Sequence, residues 1–315
     1  MKIYNYSPGV HTPRGAVIAL GLFDGLHIGH RLLIETARRT AEEKGLTPTV
    51  FTFRTEALNK GGGALYSTEE KLDLLSDMGV EAVILADFEA LMQVSAEDFV
   101  KDLLVRDMGC EVAVAGFDFR FGKGAAGNAD LLISLMRESG GDAIIEEEHT
   151  LFGEKISTTR IKSLLSLGRV DQARECLGAP YFVTAIVEHG RGVGKGLGFP
   201  TLNLSGDAAS QLGRGVYRCA AMISGELYTA VTNVGTCPTF EERESHAEVH
   251  VIGFDGDLYG KTVRVFFLGY LREEMKFDTP ESLIMQINVD INRAITENGD
   301  KLWQEIGLKL PQRET

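Results

Sequence analysis

The sequence predicts a two-domain chain: an α/β half built on a parallel sheet, then an antiparallel β-barrel finished by a terminal helix. Three observations carry this reading. At 315 residues the chain exceeds what one core usually serves. From residue 16 to about 146, strand-like apolar runs alternate with helix-like stretches, the pattern of a Rossmann-like parallel sheet covered on both faces. After Gly178, Ala179 and Pro180, which read as a hinge, the rhythm changes to short strand-like runs with glycine turns. The predicted domains are therefore 1–178 and 181–315.

In the first half the strand-like runs are AVIAL (16–20), PTVFTF (48–53), EAVILA (81–86), EVAVAG (111–116) and DAIIEE (142–147). Between them, HRLLIETARRTAEEKG, STEEKLDLLSDMG and SAEDFVKDLLVRDMG read as helices, each ending near a glycine. Ser67 with Glu70, and Ser95 with Asp98, fit the [ST]-x-x-[DE] pattern of a helix N-terminus. Two short helical stretches, STTRIKSLLSLG and VDQARECLG, close this half. The barrel strands are read from YFVTAIVEHG, GVYRCAAMIS, ELYTAVTNVG, HAEVHVIGF and KTVRVFFLGY. From Thr279 the chain reads as helix, and Leu283, Ile287, Ile291 and Ile295 recur every four residues, a stripe expected to pack on the barrel.

Composition narrows the class. With 44% hydrophobic and 24% charged residues the chain reads as ordinary globular protein. No apolar run approaches the roughly 18–20 residues a membrane span needs. The segment MKIYNYSPGVHTPRG lacks the apolar core of a signal peptide. Cys110, Cys176, Cys219 and Cys237 are scattered without a CxxC pair, so neither a disulfide framework nor a zinc site is expected. These features point to a cytoplasmic protein. A net charge of −13 disfavours a nucleic-acid backbone as partner, yet backbone N–H nests still hold phosphate inside an acidic protein.

The stretch GLFDGLHIGH (21–30) follows the first strand and precedes the first helix. With the helix starting near Ile28, His27 and His30 sit one turn apart at its positive end, where free N–H groups attract phosphate. Imidazoles add donors to the same anion, and phosphoryl transfer needs mainly positioning and charge neutralisation. The plainer alternative is that the histidines only cap and pack. Strand before and helix after favour the chemical reading.

Here a family resemblance emerges. GLFDGLHIGH resembles the G-x-F-D-G-x-H-x-G-H of flavin-adenylating nucleotidyltransferases, and residues 16–306 resemble the bacterial bifunctional riboflavin kinase/FMN adenylyltransferases, or FAD synthetases. GFDFRFGKGAAG (116–127) is similar to the family's flavin- and nucleotide-associated loop, and ISTTRIKSLL (156–165) to its I-S-S-T-R-I motif. The resemblance implies that His27 and His30 bind and activate ATP phosphates, with Gly21, Phe23 and Asp24 from the same motif. It implies that Asp118, Phe119 and Phe121 shape the site. Ser157, Thr158, Thr159 and Arg160 would clamp the triphosphate, with Arg160 on the leaving pyrophosphate. One departure stands out: where relatives read T-F-x-P-H-P, this chain reads TFRTEA, with Arg54 followed by Thr55, Glu56 and Ala57 where Pro-His-Pro is expected. Arg54 is the nearby candidate for the missing positive charge.

In HGRGVGKGLGFPTLNL (189–204), glycine occupies every second position from 190 to 198. No helix follows and no G-K-[ST] is present, so neither a dinucleotide nor a Walker loop fits, while a phosphate cradle does. Thr201 and Asn203 alternate on an extended segment, so both oxygens face one side and suit Mg²⁺ beside phosphate; a solvated hairpin is the plainer alternative. LGFPTLN resembles the G-F-P-T-x-N of riboflavin kinases, TNVGTCPTF (232–240) their N-x-G-x-x-P-T-F, and AEVHVIGFDGDLYGKTVRV (247–265) their E-x-H and D-x-Y-G segments. By that resemblance Thr201 and Asn203 hold the metal, and Gly192, Gly194, Lys195, Gly198, Phe199, Pro200 and Asn233 complete the nucleotide site. Glu248 becomes the general base for the ribityl hydroxyl. LREEMKFDTPESL (271–283) would form a flap near the flavin. The implied activities are riboflavin to FMN in the barrel, and FMN to FAD with pyrophosphate release in the α/β half. Substrates would be riboflavin, FMN and ATP with a divalent cation, and neither nucleic acid nor membrane would be a partner. The departure at TFRTEA leaves two other readings: a riboflavin kinase with a weakened adenylyltransferase, or a flavin-sensing regulatory protein.

Overall fold

In the computed structural model the described residues are 1–7, 15–55, 63–190, 193–206, 208–236, 245–298 and 302–306. The chain divides into two compact units, Met1–Thr158 and Thr159–Thr315. The break falls in the first turn of a helix, upstream of the boundary at 178 read from sequence.

The first unit holds β1 (Lys2–Asn5), β2 (Ala16–Leu20), β3 (Thr47–Phe53), β4 (Ala82–Ala86), β5 (Cys110–Gly116) and β6 (Asp142–Glu146). They form one sheet in the order β1-β4-β3-β2-β5-β6, every pair parallel. All five residues of β2 and of β4 are buried, as AVIAL and AVILA require. Alternate side chains serve opposite faces: Ile18, Leu20, Phe51 and Ile84 pack with Phe99 and Leu104, while Val17, Ala19, Val50 and Val83 pack with Ile34 and Leu75.

Helix α1 (Ile28–Lys44) ends on Gly45, which takes φ 65° as its C-cap. Ser67 and Glu70 form a complete capping box on α2 (Thr68–Asp77). After α3 (Phe88–Leu91), the stretch read as one helix starts as α4 (Ala96–Asp98), capped by Ser95, and continues as a π-helix, Phe99–Asp107. Next come α5 (Ala129–Glu138) and the small hairpin β7 (Thr150–Leu151) and β8 (Glu154–Lys155). β1 and the hairpin add to the elements read from sequence. Three of the four residues of β1 are exposed, so it offers no apolar run.

The second unit opens with α6 (Thr158–Ser166) and α7 (Val170–Leu177); α7 packs on β9 and β14 of the barrel. The barrel contains β9 (Tyr181–Glu188), β10 (Leu202–Leu204), β11 (Gly215–Ile223), β12 (Glu226–Thr236), β13 (Ser245–Val251) and β14 (Thr262–Arg272). It closes in the order β10-β13-β12-β11-β14-β9, with β9 pairing back to β10 and every pair antiparallel. A single helical turn, α8 (Val193–Gly196), sits inside the glycine-rich loop; α9 (Pro280–Asn298) and α10 (Leu302–Ile306) end the described chain.

Helix α9 corrects the expectation of an apolar stripe. Leu283, Ile287 and Ile291 are half-buried and Ile295 is 47% exposed, whereas Asp290, Ala294 and Asn298 are the residues buried. The reason is a pair of arginines on the barrel. Arg272 donates from Nε and Nη2 to the Asp290 carboxylate at 2.8–3.1 Å. Arg218 Nη1 donates to Asn298 Oδ1 at 2.6 Å, and Asn298 Nδ2 donates to the Cys219 carbonyl. Cys110, Cys176 and Cys219 are buried and form no disulfide among the described residues, and burial pushes the Cys110 and Cys219 thiols up to about 12. Cys237 lies outside the described residues.

Asp290→Ala leaves the Arg272 guanidinium without its carboxylate under α9. Breaking such a pair from one side is expected to cost on the order of 3 kcal/mol. A fall in the urea midpoint of barrel unfolding, followed by tryptophan fluorescence or circular dichroism, checks it.

Candidate functional site

The strand order turns between β2 and β5, so the chain leaves their carboxyl ends in opposite directions and opens a crevice. A cavity of about 710 Å³ occupies it. One side is the β2–α1 turn with Gly21, His27 and His30; the other is Gly116–Gly122; Ser157 and Thr158 reach it from the loop after β8. Phe53, Phe88, Phe117 and Phe119 give an apolar wall suited to a planar ring, and the histidines give a polar end.

His27 caps and packs, the plainer alternative, and it also lines the cavity. It is the N-cap of α1, with Nδ1 accepting the His30 N–H at 3.3 Å, and its ring stacks on His30 with centroids 3.7 Å apart. Burial lowers the His27 pKa to about 4. His30 is held well below the usual range by burial first, then by His27 and Lys71. Both imidazoles are therefore neutral near pH 7. A neutral His27 whose Nδ1 accepts must carry its proton on Nε2, which makes that atom a donor. The Nδ1 atom of His30 is buried with no hydrogen-bond partner among the described residues.

Phe23 and Asp24 stand behind these groups and do not line the cavity. Phe23 is fully buried at φ 48°, edge-on to the His30 ring at 5.2 Å. Asp24 Oδ1 accepts the Leu65 N–H, and its carbonyl accepts the Thr158 hydroxyl, each at 2.8 Å. The second bond ties the Ser157–Thr158 loop to the histidine turn. Thr159 and Arg160 continue into the first turn of α6, counted with the second unit. On the opposite wall Asp118 pairs with Lys155 at 2.5 Å, and the ammonium lies 4.7 Å over the Phe117 ring. Phe119 stacks on Phe121, which bridges to Gly127; a Cβ on Gly127 would fall 2.6 Å from that ring.

Sequence reading missed Arg120, His149 and Lys155 among the lining residues. Lys155 directly precedes the Ile156–Arg160 motif, a proximity that offers a signal in retrospect. The substitute proposed for the missing histidine is turned elsewhere. Arg54 pairs with Asp87 at 3.2 Å and donates to Asn5 Oδ1 at 2.6 Å, and it is not among the residues lining the cavity. Glu56 and Ala57 lie outside the described residues.

In the barrel, register brings the second set of candidate residues together. Asn203 on β10 stands opposite Glu248 on β13, and Glu248 opposite Asn233 on β12, so the three form one row across adjacent strands. Ala247, Val249 and Val251 are buried on the other face of β13, leaving His246, Glu248 and His250 together. Asn203 is 7% exposed and its Oδ1 is buried without a hydrogen-bond partner among the described residues. A Cβ on Gly190 would lie 1.9 Å from Asn203 Nδ2, so only glycine lets the loop approach. A Cβ on Gly194 would fall 2.4 Å from the Phe199 carbonyl and 3.4 Å from the Thr201 hydroxyl, so the loop folds back on Phe199–Thr201. Gly198 takes φ 88° at the return. The Pro200 carbonyl lies 2.9 Å from His250 Nδ1, and Glu248 Oε1 lies 3.3 Å from His246 Nε2. Gly192, the Lys195 side chain and residues 237–240 lie outside the described part.

Comparison with known proteins matches each half of the chain to a family. A family model described as FAD synthetase matches residues 10–160, and one described as riboflavin kinase matches residues 177–297. The bifunctional riboflavin kinase/FMN adenylyltransferase of Bacillus subtilis (strain 168) is 33% identical over 89% of this chain and 92% of its own length. Its counterpart in Escherichia coli (strain K12) is 31% identical over 90% and 94%. A solved structure titled macrolide-efflux protein from Streptococcus pneumoniae superposes with a TM-score of 0.83 at 30% identity, covering 95% of this chain and 99% of that one. That title belongs to the streptococcal protein; no helix among the described residues here is long and apolar enough to cross a membrane.

The depressed His27 pKa fixes a pH dependence. Between about pH 6.5 and 4 the unfolded chain binds a proton that the folded imidazole refuses, so stability is full above this window and falls as pH drops through it. The full effect is on the order of 3 kcal/mol. Urea midpoints of the first unit are expected to decline from pH 7 to 4.5. In His27→Asn, which keeps an N-capping side chain, that slope is expected to flatten.

Proposed function

The chain belongs to the family of bifunctional riboflavin kinase/FMN adenylyltransferases, and on that premise we propose how its residues carry the two reactions. The protein phosphorylates riboflavin to FMN with ATP, then transfers AMP from a second ATP to FMN, giving FAD and pyrophosphate. We assign adenylyl transfer to residues 1–178 and phosphorylation to 181–315.

In adenylyl transfer, an FMN phosphate oxygen attacks the α-phosphorus of ATP, and the bond to the bridging oxygen of pyrophosphate breaks. His27 donates from Nε2 and His30 from its ring at the positive end of α1, where charge accumulates on the phosphates. Ser157, Thr158, Thr159 and Arg160 hold the triphosphate, and the phenylalanine wall takes a planar ring. The observation carrying this assignment is the stacked, neutral histidine pair at the strand-order switch.

In phosphorylation, Glu248 accepts the proton of the terminal ribityl hydroxyl as its oxygen attacks the γ-phosphorus of ATP and ADP leaves. The row Asn203–Glu248–Asn233 supports this, because it sets the base beside the proposed nucleotide ligands. The glycine loop from Gly192 through Gly194, Lys195 and Gly198 to Phe199 and Pro200 cradles phosphate. Thr201 Oγ1 and the orphaned Asn203 Oδ1 suit a hard cation and would hold Mg²⁺. That ion, when bound, neutralises phosphate charge.

A second reading, a kinase with a weakened adenylyltransferase, draws on Arg54 being engaged with Asp87 and Asn5. Supplying FMN and ATP and following pyrophosphate decides between them: steady release that is lost in His30→Ala supports full bifunctionality. His30→Ala is expected to lower FAD formation on the order of 100-fold with riboflavin phosphorylation unchanged. Glu248→Gln is expected to do the reverse, cutting phosphorylation by about 100-fold or more. EDTA is expected to stop both.

A further inference from the structure

With FMN and ATP assigned to the cavity of the first unit, two anionic substrates enter a lining that is itself acidic. Asp118, Glu146, Glu147 and Glu148 stand there against Arg120 and Lys155. His27 and His30 add hydrogen-bond donors but no charge near pH 7, since burial keeps both imidazoles neutral. The phosphate monoester of FMN carries about −1.5 to −2 charge at that pH. An anion drawn into such a lining needs a cation that is not already engaged.

The two cations differ in this respect. Lys155 Nζ lies 2.5 Å from Asp118 Oδ2 and 3.9 Å from Glu148 Oε1, and it sits 4.7 Å over the Phe117 ring. To bind phosphate it would first have to give up a carboxylate. Arg120 is exposed and makes no side-chain hydrogen bond, ion pair or cation–π contact among the described residues, although four carboxylates line the same cavity. Its backbone is tied down on both sides. The Phe119 N–H donates to the Gly116 carbonyl at 3.0 Å, Phe121 exchanges backbone bonds with Gly127, and the Phe119 and Phe121 rings stack 5.6 Å apart. A free guanidinium on a fixed backbone offers its planar fork to two oxygens of one phosphate.

Position distinguishes between the phosphates of the two substrates. Arg120 belongs to the Gly116–Gly122 wall with Phe117 and Phe119, while the nucleotide phosphates are assigned to the facing side, at the start of α1 and at Ser157–Thr158. A flavin ring held on the aromatic wall carries its phosphate on a chain anchored beside this arginine.

We propose that Arg120 recognises the phosphate of FMN in adenylyl transfer, and so makes the reaction select a phosphorylated flavin over one that lacks the group. This rests on the assignment of that cavity to adenylyl transfer. A grip of this kind holds the ground state and the transition state alike, so its loss belongs in the KM for FMN rather than in kcat.

The test uses the full chain, with FMN supplied directly and FAD measured. Arg120→Gln, which keeps amide donors without charge, is expected to raise the KM for FMN on the order of 10-fold, with kcat and the KM for ATP within about threefold. Arg120→Lys keeps the charge but loses the fork, and is expected to fall between Arg120→Gln and the wild type. Added KCl is expected to raise the KM for FMN in the wild type and much less in Arg120→Gln, because only the charged contact is screened. Riboflavin phosphorylation by the same molecules is the internal control and is expected to stay unchanged. An unaltered KM for FMN in Arg120→Gln would overturn the proposal. So would a rise confined to the KM for ATP, which gives the arginine to the nucleotide, or an equal rise in both with the salt response intact, which marks a disturbed loop. If the wild type phosphorylates riboflavin but makes no FAD from FMN, the cavity assignment itself fails and the role of Arg120 goes with it.

Discussion

The first unit depends on one constraint, the parallel pairing of β2 with β5 at the point where strand order turns. On one side of that pair the chain builds β3, β4 and β1; on the other it builds β6. Two connections therefore part over the same pair of strand ends, and a crevice follows from the topology before any side chain is chosen. What the sequence adds is the lining. Gly21 and Gly116 keep the strand ends open, the histidine turn supplies the start of α1, and the Phe117–Phe121 loop supplies the aromatic wall. The bond from Thr158 to the Asp24 carbonyl then closes the third side with a segment 134 residues away in sequence.

The barrel solves the same problem by different means. There register decides which residues of the proposed site meet. Asn203, Glu248 and Asn233 come from three segments, yet pairing alone aligns them. The glycines of the loop let a backbone lie where no side chain fits, over Asn203 and Thr201. Parallel topology makes the first candidate site and antiparallel register the second.

Much of this was legible in the residues. β2, β3, β4, β5 and β6 fall within a residue or so of the apolar runs, because fully buried strands must be written in apolar side chains. The histidine pair was legible because its spacing and its place between strand and helix leave few other uses. What stayed hidden depended on partners distant in sequence. Asp290 and Asn298 look like solvent-facing positions of α9 until Arg272 and Arg218 appear beneath them. Lys71 reads as helix surface, yet it is buried with its ammonium on the oxygens of Leu22, Thr52 and Phe53, which nothing nearby announces. The π-helix is written in the residues of an ordinary helix, and Arg54 shows that a charge near a gap need not fill it.

Closure of the barrel has a further consequence, for how the chain behaves when it is made in quantity. With β9 paired to β10, every described strand of the barrel has a partner strand on both sides. The sheet of the first unit does have two margins, β1 and β6, and the outer one is a four-residue strand that begins with Lys2. Shortness and charge are what blunt such a margin against strand addition by another copy. Self-association of partly folded chains would therefore begin at the α/β unit, and a lysine at the second residue helps to hold it off.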